Sequence, residues 1–157
     1  MTLHRIVVTT VLLSVPALSA AQEAARLEAR QSLLGGQQAT VYASPTCGCC
    51  EGYVAFLRKH GASVEVVRDD AALAAAKTQY GVPLAAQSCH TVLLGGYVVE
   101  GHVPLAALRK LLTERPDLTG VAMPGMPTGT PGMEGPRFGP LGVVGFDEAG
   151  VTPFVTL

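Results

Sequence analysis

The stretch ATVYASPTCGCCEGYVAFL, residues 39–57, changes its pattern halfway along. Ala39, Thr40, Val41, Tyr42 and Ala43 form a short β run, and Ser44, Pro45 and Thr46 break it. From Cys47 the period becomes helical, with Cys50, Tyr53, Val54 and Leu57 at i, i+3, i+4 and i+7. Gly61 stops that helix. Residues 63–67 (SVEVV) read as a second strand. Residues 71–79 are Ala-rich and read as a second helix, with Asp69 or Asp70 as its cap. Gly81, Val82 and Pro83 end it. Two apolar runs, residues 91–94 and 97–100, flank Gly95 and Gly96, a two-residue hairpin signal. Pro104 then opens a third helix with an apolar face of Leu105, Leu108, Leu111 and Leu112, and Pro116 ends it.

The order is β-α-β-α-β-β-α. Two leading βα units imply parallel pairing through a right-handed crossover, and the hairpin adds antiparallel strands. This predicts an α/β, thioredoxin-like three-layer fold over residues 39–115, followed by a Met/Pro/Gly-rich arm and a terminal hairpin. In the arm, Met123, Met126 and Met133 recur among Pro and Gly (MPGMPTGTPGM), a composition that excludes a regular helix. Residues 141–146 and 151–155 read as the hairpin, so that residues 116–157 form an arm and hairpin packed on the domain.

The amino terminus reads as a signal for export. His4 and Arg5 precede an uncharged apolar run, residues 6–18, and Ser19, Ala20 and Ala21 suit a signal peptidase. Residues 1–21 are therefore expected to be cleaved, and the run is short for a membrane span of roughly 20 residues. Residues 22–38 read as a solvated helical leader. Export implies a periplasmic location with no membrane attachment after cleavage, where free thiols tend to oxidise. The 157 residues carry 11 basic and 12 acidic side chains, a net charge of -1, which excludes a broad basic surface for nucleic acid. Aromatics are 5% with no Trp, which also argues against a base-stacking platform.

Cys47, Gly48, Cys49 and Cys50 lie where a strand hands over to a helix. The unpaired N–H groups and the dipole at a helix start favour thiolate, the form that attacks disulfides and binds soft metals. Cys47 and Cys50 have the C-x-x-C spacing of a dithiol–disulfide exchanger, but Cys49 between them would compete for every mixed disulfide. Cys89, in the run Gln87-Ser88-Cys89-His90-Thr91, stands just before the third strand, where thioredoxin-like enzymes usually carry a cis-proline. That loop is expected to pack beside the first helix and bring four sulfurs together, with His90 and His102 at the edge. A four-cysteine zinc site prefers two separated knuckles. An iron–sulfur cluster suits reducing compartments. Bridging thiolates in a polynuclear cluster suit C-x-C-C, and soft thiolates and thioethers select Cu(I). Met123 and Met126 are the candidate thioethers. Two structural disulfides are the bland alternative for four cysteines in an exported chain. His60 reads as a helix C-terminal residue and Glu100 as a solvated strand end.

Five ordered motifs carry a resemblance. They are SPTCGCC (residues 44–50), GVP (81–83), SCHT (88–91), GYVVEGHVP (96–104) and MPGMPTGTPGME (123–134). Together they resemble the CopG-type family of bacterial periplasmic copper-resistance proteins, long described as a domain of unknown function. Where relatives place a Trp after the cysteines, this chain has Tyr53. The resemblance implies a thioredoxin-like fold, copper held by Cys47, Cys49, Cys50 and Cys89, and a role in copper tolerance that extends to oxidising or reducing copper. The implied partners are copper ions and other periplasmic copper-handling proteins. No catalytic residue follows from the sequence. The alternative function is thiol–disulfide exchange at Cys47 and Cys50.

Overall fold

Seven strands form one sheet: β1 (Gln38–Ala43), β2 (Ser63–Arg68), β3 (His90–Leu94), β4 (Tyr97–Gly101), β5 (Gly120–Met123), β6 (Gly142–Asp147) and β7 (Gly150–Thr156). Their spatial order is β2-β1-β3-β4-β5-β6-β7. The structure, a computed structural model, describes residues 19–20, 22–23 and 32–157. The expected signal segment and the leader through residue 31 lie, apart from those few positions, outside the described residues. Among the described residues no helix is long and apolar enough to cross a membrane.

β2 runs parallel to β1, while β3 is antiparallel to β1 and β4 to β3. With helices α1 (Gly48–Lys59), α2 (Asp70–Gln79) and α3 (Leu105–Glu114), this is the expected thioredoxin-like arrangement. Gly95 and Gly96 adopt φ of 59° and 88°, the positive pair that a tight β3–β4 hairpin requires. Asp69 caps α2 by accepting the Ala72 N–H at 2.6 Å.

The three layers follow from strand alternation. Val41, Val92, Leu94, Val99, Val121 and Val143 point to one face, where Tyr53, Val54 and Leu57 of α1 and Ala107, Leu108 and Leu111 of α3 cover them. Their neighbours Leu93, Val98, Ala122, Val144 and Phe146 point to the other face and pack with Tyr80, Val82 and Ala86, which follow α2.

Two expectations change. The segment after α3 is not all arm, because Gly120–Met123 pairs parallel with β4 and antiparallel with β6, extending the sheet to the terminal hairpin. The leader is not all solvated either. Leu34 is 0% exposed within the main core, and its N–H donates to the His60 carbonyl at 3.0 Å.

Candidate metal centre

The register of the sheet assembles the site. Ala43 pairs with His90, so the chain leaving β1 and the chain entering β3 lie side by side. Cys47 follows β1 as the N-cap residue of α1, with its N–H donating to the Ser44 carbonyl at 3.2 Å. Cys89 precedes β3. The two loops therefore face one another, as the sequence reading requires. The Sγ atoms of Cys47, Cys49, Cys50 and Cys89 all lie within 4.8 Å of one another. Cys49 Sγ is 3.5 Å from that of Cys47 and 3.9 Å from that of Cys89.

Cys47 and Cys50 are joined as a disulfide, while Cys49 and Cys89 are free. The chain thus holds an oxidised C-x-x-C pair beside two thiols. The two-disulfide alternative is not what the structure shows. Reduction would expose four thiols in one pocket.

Both expected histidines join them. His90 Nδ1 and His102 Nε2 each lie 3.2 Å from Cys89 Sγ, and both residues are 0% exposed. His102 Nδ1 faces the Pro131 carbonyl at 2.7 Å. A carbonyl can only accept, so Nδ1 carries the proton and the bare Nε2 turns toward the sulfur. This is how a backbone carbonyl orients an imidazole that binds metal. Among the described residues, His90 Nε2 is buried with no hydrogen-bond partner, an unsatisfied group of the kind that attends functional sites. Tyr53 walls the pocket, its ring 4.7 Å from that of His90 and its hydroxyl donating to the Val103 carbonyl at 2.9 Å.

Burial governs the charges. It pushes the Cys89 thiol up to about 11, reinforced by the adjacent Cys49 sulfur. Cys89, which lies outside α1, is therefore held as a thiol by burial, unlike the thiolate that a helix start favours. Burial drives His90 down to about 3, helped by His102 and Lys77, and lowers His102 against the pull of the Pro131 carbonyl. Both imidazoles are neutral at pH 7, the state in which they bind metal.

The arm supplies a strap over this site. Gly132 lies on the first turns of α1, where a Cβ on Gly52 would come 2.7 Å from the Gly132 Cα. Gly48, Cys49, Gly132, Met133 and Glu134 line an open cleft of about 270 Å³. Met133 is the methionine that shares this cleft with Cys49. Of the two expected thioethers, Met123 is buried in the core at the end of β5, and Met126 is exposed in a turn with φ of 46°. Neither lines the cleft.

Sequence reasoning also missed Glu100. It is 0% exposed, not a solvated strand end. Its carboxylate accepts from the Ser88 N–H at 2.6 Å, from Thr91 Oγ1 at 2.7 Å and from the Lys77 ammonium. Burial raises its pKa while Lys77, Thr91 and Ser88 pull it back.

Fold and donors define a class: a thioredoxin-like domain whose disulfide-bonded cysteine pair sits in a cluster of thiols and imidazoles capable of holding a metal ion. Two solved structures of the copper resistance protein CopG share the architecture. One, form 2, is 40% identical with a TM-score of 0.68, covering 77% of this chain and 98% of that one. The other, form 1, is 39% identical with a TM-score of 0.69, covering 76% and 96%. The family described as "Protein of unknown function, DUF411" matches residues 86–133. No curated protein matches. The chain belongs to the CopG-type family.

Proposed function

We propose that this chain is an exported, periplasmic copper-handling protein that holds Cu(I) on clustered cysteine thiolates and contributes to copper resistance. The observation that carries the reading is the convergence of four cysteine sulfurs within 4.8 Å. Soft thiolates prefer Cu(I), and three sulfurs on one helical turn favour bridging between several ions over a single tetrahedral centre. His90 and His102 offer neutral nitrogen donors beside Cys89, and Met133 offers a thioether at the mouth. The solved CopG structures, named for copper resistance, support the choice of metal.

The Cys47–Cys50 pair gives this site a redox capacity. Two thiolates that join as a disulfide release two electrons, which convert two Cu(II) ions to two Cu(I) ions. The reverse step, supplied with the disulfide, oxidises copper. The test is anaerobic Cu(I) titration of the reduced full chain. At least one tightly held equivalent is expected, abolished in Cys49→Ser/Cys89→Ser; binding that survives both substitutions rejects the proposal.

The same disulfide favours a second reading, thiol–disulfide exchange with protein substrates. That reading predicts insulin reduction that persists in Cys89→Ser, and a mixed disulfide trapped in Cys50→Ser. The copper reading predicts neither.

A further inference from the structure

Ser88 N–H donates to the Glu100 carboxylate and, among the described residues, to no backbone carbonyl. Ser88 and Cys89 sit between the 3₁₀ turn Leu84–Ala86 and β3, so their backbone has no ladder to hold it. Glu100 reaches them because it pairs with Thr91 across β3 and β4. Lys77 arrives from α2, its side chain 12% exposed, and donates to both Glu100 and Thr91 Oγ1. The next residue on β4, Gly101, has φ of 72°, and a Cβ there would meet Ser88 Oγ at 2.6 Å. Residues 100 and 101 thus form a seat for Ser88, one peptide from the Cys89 sulfur.

A buried ion pair is a poor source of stability, because well-packed apolar residues of similar size commonly do as well or better. Its cost is intelligible if the carboxylate has a positional task. Resting on the copper reading of the pocket, we infer that Glu100, steadied by Lys77, is a positioning residue: it pins the Ser88 N–H and thereby sets Cys89 Sγ against Cys49 and the two imidazoles. Glu100 touches none of the proposed donors; it acts through the loop. Partners one shell removed from a metal typically change affinity 10- to 100-fold when lost.

The discriminating variant is Lys77→Met/Glu100→Leu, an apolar pair of similar length. A purely structural role predicts retained copper affinity wherever thermal stability is retained. Positioning predicts an intact fold with Cu(I) affinity lower by roughly 10- to 100-fold in chelator competition on the reduced full chain. Two metal-free readouts accompany it. Amide exchange at Ser88 should quicken by about tenfold or more, as expected for a lost charge-assisted hydrogen bond. In a Cys49→Ser background with the Cys47–Cys50 disulfide intact, the alkylation rate of Cys89 should rise. Val98→Ala, two residues along β4 and on the same face of the sheet as Glu100 but in the second core, is the control for general destabilisation and should change none of the three. If the double variant does not fold, Glu100→Gln is read in the same way. A folded variant with unchanged Ser88 exchange, Cys89 alkylation and copper affinity overturns the inference. Should the parent chain bind no copper, the proposed function falls, while the two metal-free readouts still judge the positioning role.

Discussion

Cys89 is a half-buried thiol whose proton must leave before a soft cation can bind its sulfur. With its pKa pushed up to about 11, it is protonated at pH 7 in the metal-free chain. Copper uptake should therefore release protons, and apparent affinity should rise with pH by about tenfold per unit for each proton displaced below that pKa. Weakly buffered titration with Cu(I) measures this directly; uptake without proton release would contradict it. His90 sets a second pH dependence. Its pKa is lowered to about 3 in the folded chain, against about 6.5 unfolded, so below pH 6.5 the unfolded state binds the extra proton. Stability of the metal-free protein is then fully present above 6.5 and falls, by at most about 1.4 kcal/mol per pH unit for this group, as pH drops toward 3. The lowered pKa of His102 acts in the same sense, and the raised pKa of Glu100 in the opposite one. Comparison with His90→Phe isolates the term: urea unfolding at pH 7 and pH 5 should show a smaller drop in the variant, and an equal drop would refute the assignment.

Helix α1 and the strap meet through two glycines. Helix propensity alone says that Gly52→Ala stabilises α1 by up to about 1 kcal/mol. The contact says the reverse, because the new Cβ would lie 2.7 Å from a backbone atom of Gly132 rather than from a yielding side chain. Gly132 itself has φ of 81°, which suits glycine and holds the strap in its turn. We expect Gly52→Ala to lower stability by roughly 1–3 kcal/mol, the usual range for overpacking, and to open residues 124–140 to protease. A gain in melting temperature would show that the strap does not dock on α1. At this scale the helices and the Gly95–Gly96 hairpin were legible in the sequence, because period and turn chemistry are local signals. Strand β5 was not: four residues followed by Pro124 and Gly125 resemble the arm they lead into, and their partner Val98–Gly101 is some twenty residues away. The same holds for Glu100, whose polarity reads as exposure until Lys77 and Ser88 are brought to it by other elements.

Over the whole molecule, the proposed donors come from four separate places: the start of α1, the entrance of β3, the exit of β4 and the strap at Pro131–Met133. The thioredoxin-like order brings the first three to one end of the sheet, which is why Cys47, Cys49, Cys50, Cys89, His90 and His102 could be grouped from sequence. The strap obeys no periodicity. Its docking depends on glycine contacts and a single carbonyl on His102, so the presence of Met133 with Cys49 in the lining of one cleft could not be read in advance from period or spacing. The sheet also separates functions: the main core and the cysteine pocket share one face, while the second core, around Phe146, lies on the other. Apolar substitutions in that second core that leave Glu100 and Lys77 in place should therefore alter melting temperature without altering the pocket.

The convergence of sulfur on copper is best tested by X-ray absorption at the copper edge of the reduced full chain loaded anaerobically with Cu(I). The expected result is a first shell dominated by sulfur, with a substantial part of that sulfur, and of the bound copper, lost in Cys89→Ser. A shell of nitrogen and oxygen donors, or a sulfur shell unchanged when Cys89 is removed, would contradict the account.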